Sequence, residues 1–342
     1  MCRSSVASVA SLHGNINIAA RNLTCQAVRV SVCGPYALRT RMSQLRYLQV
    51  DVFAEKPGGG NPLGVVFDAD AWSGEDMQRF AAWTNLVETT FVLAPTRAEA
   101  SYRLRIFTPA KEIAFAGHPT IGSAHAALEI GRIVARDDTL VQECGAGLLP
   151  IRVEGEGATR RLYVQAPSAR VLRDGIGDAR IAHVLSGIVL GALPPAFVEG
   201  GRRWWIAEFA DEAALRAWRP DHTAIGALAR TDDCLGLCVF ARAAVAKCGY
   251  DLVVRAFPAG AGIVEDPASG AANGLIAAYI AEGEPHGALA RGYRVSQGRE
   301  IGHDATLDIR IDRAAGSASP AVWVGGRSHT IIEGAIKQPI GS

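Results

Sequence analysis

Apolar residues alternate or run together over 45–53 and 63–68, and both stretches predict strands. Between them, Lys56-Pro-Gly-Gly-Gly-Asn-Pro62 predicts an irregular loop. Residues 73–84 show helical spacing at Met77, Phe80 and Ala81, with Ser73 as N-cap and Asp76 three residues on. A strand pattern returns over 85–93, with Glu88 where the run begins, and again over 101–107. A helix of small residues is predicted at 117–130. Gln142 to Val153 and Arg161 to Gln165 read as a hairpin, and Ala166-Pro167 breaks the pattern. Beyond the break, helices are predicted near 178–186, 211–217 and 221–228, with strands near 203–208, 235–240 and 250–257. A second Ala-rich helix follows at 269–282, then strands near 292–296, 305–311 and 321–324. The last run, Ser328 to Ile336, is placed to return to the first half. Strands joined by short turns around a few helices argue for an α+β fold.

The two Ala-rich helices echo one another. Residues 107–131 read FTPAKEIAFAGHPTIGSAHAALEIG, and residues 257–283 read FPAGAGIVEDPASGAANGLIAAYIAEG. Setting Pro267 on Pro119 puts Gly270 on Gly122, Ala271 on Ser123 and Asn273 on His125. A repeat of this size predicts two similar halves rather than a solenoid. The expected domains are 42–165 and 166–326, with 327–337 returning to the first.

Composition changes the picture mainly at the N-terminus. The chain has 342 residues, 49% hydrophobic and 20% charged, an ordinary globular balance. Its formal charge of +1 offers no basic field for nucleic acid or a membrane surface. Residues 1–41, however, hold Arg and no Asp or Glu, and are rich in Ser and Ala. That composition matches a targeting peptide or translated sequence upstream of a start at Met42. Residues 1–41 are therefore expected to stand outside the fold, with a cytoplasmic protein as the main expectation and organelle targeting as the lesser one. No apolar run approaches a membrane span. Of the Cys residues, Cys2, Cys25 and Cys33 lie in that leader; Cys144, Cys234, Cys238 and Cys248 remain. Cys234 and Cys238 have no paired His nearby, so they are expected to be reduced structural thiols and not zinc ligands.

The chain shows no G-x-G-x-x-G after a strand, no P-loop and no nucleophile elbow. Three residues stand out instead. Glu88 is a lone acid in NLVETTFVL; buried there, it would gain a raised pKa and serve as a proton carrier. His118 opens a helix whose first N–H groups attract an anion. Asp266 precedes the second helix, where an acid also complements the helix dipole. If the two helix starts face one cleft, the three would form an acid–base set able to move a proton between two carbons of a small bound molecule; the alternatives are a solvent-facing Glu88 and a His118 that caps or packs against its turn.

With these residues laid out, the chain resembles the phenazine-biosynthesis isomerase family, the PhzF-like proteins, which share the diaminopimelate epimerase fold. The stretches that carry the resemblance are 51–70, 85–92, 105–126, 255–274 and 296–302. It implies two domains, each a curved, mostly antiparallel sheet around a central helix, with the site in the cleft between them. It implies catalysis by Glu88, with His118 and Asp266, and substrate binding at Asn61, Gly117, Gly270 and Ala271. It further implies no metal and no cofactor, and a homodimer. Two departures stand out. Ala271 replaces the Ser usual after the Gly of the second motif, and Gly302-His303-Asp304-Ala305 replaces the usual G-R-P-S. Epimerases and racemases of this fold use two facing Cys, but no Cys lies within 116–120 or 265–271. The expected function is a cofactor-independent isomerase acting on a small carboxylate; the alternative is a non-catalytic ligand-binding or interaction protein on the same scaffold.

Overall fold

A helix buried on nearly every side has to be covered on nearly every side, its polar groups paired within, and the chain holds two, at 117–129 and 270–283. The computed structural model describes residues 44–243, 249–313 and 320–337. The expected leader, 1–41, and Cys248 lie outside the described residues.

The first half runs β1 (Leu45–Val52), β2 (Asn61–Phe67), α1 (Gly74–Thr84), β3 (Glu88–Leu93), β4 (Tyr102–Phe107), β5 (Glu112–Ile113), α2 (Gly117–Glu129), β6 (Thr139–Cys144), β7 (Gly147–Glu154) and β8 (Arg161–Gln165). The second runs β9 (Arg170–Asp174), α3 (Ala179–Val184), β10 (Ala196–Gly200), β11 (Arg202–Phe209), α4 (Glu212–Ala217), α5 (His222–Thr231) and β12 (Gly236–Arg242). It continues through β13 (Leu252–Phe257), α6 (Gly270–Gly283), β14 (Gly292–Gln297), β15 (Ala305–Asp312) and β16 (Ala321–Gly326). The last strand, β17 (Ser328–Ile336), pairs antiparallel with β1 in the first half.

The ladders of the two halves follow one pattern. β1–β2 is antiparallel, β2–β3 parallel, β3–β4 antiparallel, β4–β6 parallel, and β6–β7–β8 antiparallel. β10 through β16, with β10 in the place of β1, repeat that order of senses. Each parallel step needs a crossover, and helices supply it: α1 and α2 in the first half, α4 with α5 and then α6 in the second. β8 and β16 pair antiparallel, so the strands form one large curved sheet. Its two curved halves enclose α2 and α6, and one core cluster runs from Val50, Leu63 and Ile121 to Leu275, Ile276 and Val324. Close approach explains the small residues. A Cβ on Gly122 would lie 2.6 Å from the side chains of both Leu63 and Val52. The polar groups of α2 are paired inside: Ser123 Oγ lies 2.8 Å from Thr90 Oγ1, and Thr120 Oγ1 accepts from Gln142 Nε2.

α1 begins with the capping box expected from Ser73 and Asp76 and ends at Asn85, whose φ of 54° turns the chain into β3. Three sequence expectations are corrected. The single hairpin expected from 142–153 and 161–165 is two hairpins, because the chain turns back between Cys144 and Gly147, where Gly147 has φ +105°. β9 and β10 went unpredicted: β9 is a mostly exposed strand that, among the described residues, pairs with β10 alone, and both are short. The register of the repeat also changes. α2 starts at Gly117 and α6 at Gly270, with topologically matching strands on either side. Gly270 therefore stands against Gly117, and Ala271 against His118, not against Ser123. Pro119 lies within the first turn of α2, whereas Pro267 lies before the Ser269 cap of α6, so the shared Pro carries no register.

Among the described residues no helix is long and apolar enough to cross a membrane. Cys144, Cys234 and Cys238 are free thiols.

Candidate active site

The parallel β2–β3 ladder sets Glu88, the first residue of β3, beside Leu63. A contact of 2.9 Å between the hydroxyls of Thr84 and Thr89 ties the end of α1 to that point. His118 is the second residue of α2. Its Nδ1 lies 3.2 Å from Glu88 Oε2, with side chains only 6% and 13% exposed.

Asp266 comes to the same place from the other half. Its N–H donates to the Ala256 carbonyl of β13 at 2.9 Å, and its Oδ1 accepts from Ala268 N at 3.1 Å. Asn61, which opens β2, donates from Nδ2 to both Asp266 Oδ1 and the Ala268 carbonyl at 3.1 Å. At the contact between the two helix starts, a Cβ on Gly270 would lie 3.5 Å from Gly117 Cα. Of the residues implied by the resemblance, Glu88, His118, Asp266, Asn61, Gly117 and Gly270 thus gather at the junction of α2 and α6. Ala271, the second residue of α6, is exposed and presents only a methyl group.

The electrostatics follow from burial. Desolvation pushes the Glu88 carboxyl up to about 8, helped by the nearby Asp266 charge. Burial raises Asp266 to about 6, against the hydrogen bonds from Ala268 and Ser269 and the charge of His303. His118 is pushed down to about 3 by desolvation, partly opposed by the Pro62 carbonyl. Near neutral pH, then, Glu88 is mostly protonated and His118 neutral, so their contact is not an ion pair. Nor is it aligned as a hydrogen bond. Glu88 Oε2, His118 Nε2 and Asn61 Oδ1 are all buried without a hydrogen-bond partner. Unpaired buried polar atoms are rare and costly, and here they cluster where a polar ligand would satisfy them.

The two helix starts differ as anion receptors. α2 has no side-chain cap, which leaves its first N–H groups for a ligand. α6 is capped by Ser269, whose Oγ accepts from Ala272 N.

Besides Asn61, Asp266 is held by residues that were given no role from the sequence. Gln297, fully buried at the end of β14, donates from Nε2 to the Asp266 carbonyl at 2.8 Å. Its Oε1 accepts from Asn273 Nδ2 at 2.8 Å and from Ser269 N at 3.3 Å. Glu265 is held by Arg255 through two bonds of 2.9 Å, both side chains almost fully buried. An amide closing an apolar strand and an Arg inside one, RAF at 255–257, were the available signals. The glycine loop that leads into Asn61 is tied down at two points. Asp51 accepts from Gly58 N at 2.7 Å, while Gly59 O accepts from Asp304 N at 2.7 Å. Two surface cavities, lined by residues such as Arg170 and Glu199 or Arg203 and Gly260, include none of the residues at this junction. Among the described residues no group of three or more His, Cys, Asp or Glu is arranged to hold a metal ion.

Comparison with known proteins points in one direction. Residues 50–334 match the family model described as phenazine biosynthesis-like protein, PhzC-PhzF. A Pseudomonas aeruginosa relative named trans-2,3-dihydro-3-hydroxyanthranilate isomerase is 35% identical, over 84% of this chain and 98% of its own. A Schizosaccharomyces pombe relative named antisense-enhancing sequence 1 is 33% identical, over 86% of this chain and 99% of its own. The crystal structure of the Bacillus anthracis phenazine biosynthesis protein of the PhzF family superposes with a TM-score of 0.75 at 25% identity, covering 86% of this chain and 99% of that one. A hydroxyproline epimerase from Agrobacterium vitis shares the fold at 12% identity, with a TM-score of 0.55 over 89% of this chain and 95% of that one.

Proposed function

This chain belongs to the PhzC-PhzF family of phenazine biosynthesis-like proteins and is an isomerase of that family; from that premise we propose that it shifts a proton on a small carboxylate-bearing substrate held between α2 and α6. The observation that carries the reading is Glu88: a buried carboxyl at about 8, 3.2 Å from a neutral His118, amid unpaired polar atoms. A general acid–base works best with a pKa near the operating pH. Glu88 takes the proton from one substrate carbon in its ionised form and returns it to another. His118, kept neutral, accepts or donates a hydrogen bond without adding a charge. The uncapped start of α2 receives the substrate carboxylate, and Asn61 holds Asp266 beside Glu88. The Pseudomonas aeruginosa relative supports trans-2,3-dihydro-3-hydroxyanthranilate, or a carboxylate of similar size, as the substrate class.

The alternative, a ligand-binding protein without chemistry, draws on Ala271, which has a methyl group where the family's hydroxyl would stand at the start of α6, and on the altered 302–305 segment. Glu88 buried beside His118 favours the enzyme. The test is deuterium incorporation from heavy water into trans-2,3-dihydro-3-hydroxyanthranilate and related carboxylates. Wild type is expected to exchange, and Glu88→Gln to bind the same compound without exchange. Equal exchange by both proteins would refute Glu88 as the proton carrier; binding without exchange by wild type would favour the alternative.

A further inference from the structure

Each of the two helices that meet at the junction has its fourth residue turned back on its own start. In α2, Thr120 Oγ1 donates to the Ala116 carbonyl at 2.9 Å, beside the helical bond from Thr120 N at 3.3 Å. In α6, Asn273 does the same: Nδ2 and N donate to the Ser269 carbonyl at 2.9 and 3.1 Å. Both side chains are fully buried. Each is held in turn by a buried glutamine of the strand that follows its helix, Gln142 of β6 or Gln297 of β14. Gln297 also holds Asp266, but Gln142 makes no hydrogen bond to a residue of the site. Its bonds nevertheless run toward the site in one direction. Tyr102, its partner in the β4–β6 ladder, donates from its hydroxyl to Gln142 Oε1 at 2.9 Å. Gln142 Nε2 donates to Thr120 Oγ1 at 3.1 Å, which leaves the Thr120 proton for Ala116.

The peptide between Ala116 and Gly117 is planar and trans. A carbonyl fixed from inside the helix therefore aims the Gly117 N–H outward. Accepting two hydrogen bonds also makes the N–H of the same peptide a stronger donor. Ser269 and Gly270 repeat this arrangement in α6. The third N–H is withdrawn at both starts: Pro119 has none, and that of Ala272 is taken by Ser269 Oγ. Each start thus offers its first two N–H groups, and Gly117 and Gly270 stand against each other. The buried, unpaired His118 Nε2 belongs to the same turn.

Given the reading that the start of α2 receives the substrate carboxylate, we propose that Thr120 and Gln142 are positioning residues for that carboxylate, fixing the Ala116–Gly117 peptide and strengthening its N–H. Ser123 supplies the contrast. It is just as buried and lies further along α2. Its hydroxyl, 2.8 Å from Thr90 Oγ1, ties α2 to β3 without reaching the helix start.

The test reads binding without turnover. Full-length, 15N-glycine-labelled Glu88→Gln protein is the reference, and trans-2,3-dihydro-3-hydroxyanthranilate is the probe. The Gly117 amide signal is assigned by its loss in Gly117→Ala, where a Cβ would meet Gly270 Cα at an ordinary 3.6 Å. That signal is expected to move when the probe binds. Adding Thr120→Val is expected to weaken binding about five- to tenfold and to shift the ligand-free Gly117 amide proton upfield. Adding Gln142→Leu is expected to weaken binding about two- to threefold. Thr120→Ser, which keeps the hydroxyl, is expected to match the reference. Ser123→Ala is expected to lower the urea midpoint of unfolding and leave both affinity and the Gly117 signal as they were. A Gly117 signal that ignores the probe in the reference protein refutes the reading of the helix start, and the positioning roles with it. A signal that responds, with affinity unchanged by Thr120→Val or by Gln142→Leu, overturns the positioning roles alone. So does a Ser123→Ala variant that weakens binding as much as Thr120→Val. If Thr120→Val does not fold, Thr120→Ala carries the same test.

Discussion

Replacing the proton carrier should stabilise the protein, by an amount that grows with pH. The Glu88 carboxyl has its ordinary value at 4.5 in the unfolded chain and about 8 in the folded one. The folded state thus holds the proton more tightly. This contribution to stability is complete below about pH 4.5 and is lost as pH rises toward 8. In that window each pH unit costs 1.36 kcal/mol. From pH 5 to pH 7.5 wild type loses about 3 kcal/mol through this one group. Glu88→Gln keeps a neutral group of similar shape beside His118 and loses none of it. Asp266 and His118 titrate in both proteins, and their effects largely cancel in the comparison. The assay is urea unfolding of both proteins by tryptophan fluorescence at pH 5, 6, 7 and 7.5, with coincident far-UV circular dichroism to establish two-state behaviour. The stability gap in favour of Gln should widen steadily by about 3 kcal/mol. A gap independent of pH would show that Glu88 is not held protonated by burial, and the proton-carrier reading would lose its physical basis.

Other expectations follow from the same geometry. The pH dependence of kcat/KM for exchange should climb about tenfold per unit up to about pH 8, as Glu88 ionises to act as base; a flat profile between pH 6 and 8 would contradict it. Gln297→Leu should lower unfolding free energy by about 2–4 kcal/mol, because it leaves the Asp266 carbonyl and the Ser269 N–H buried without this partner; urea unfolding measures it, and a loss below about 1 kcal/mol would argue that the loop re-pairs. Gly60→Ala should lower the melting temperature far more than Gly58→Ala. A Cβ on Gly60 would meet the Val52 carbonyl at 2.2 Å, whereas Gly58 has open space and only its φ of +91° to strain. Equal melting temperatures would refute that account of the loop.

Much of this protein is legible from hydrophobic period alone. The alternating and continuous apolar runs locate most strands, and the two helices stand out by their small, Ala-rich residues. α1 is legible to its cap, because Ser73 and Asp76 act within one turn. What local pattern does not determine is register. P-x-x-G recurs easily in a chain rich in Ala and Gly, and aligning the prolines set Ala271 against Ser123. The ladders on either side of α2 and α6 decide otherwise, because strand pairing fixes where each helix must begin. The site divides along the same line. Glu88, His118 and Asp266 stand out by residue type and by their places at element starts. Their chemistry depends on burial and on groups distant in the chain: Asn61 at the start of β2 and Gln297 at the end of β14. An isolated acid in a sequence carries no desolvation; only the packing of the two curved halves around α2 and α6 removes the water that would keep Glu88 ionised.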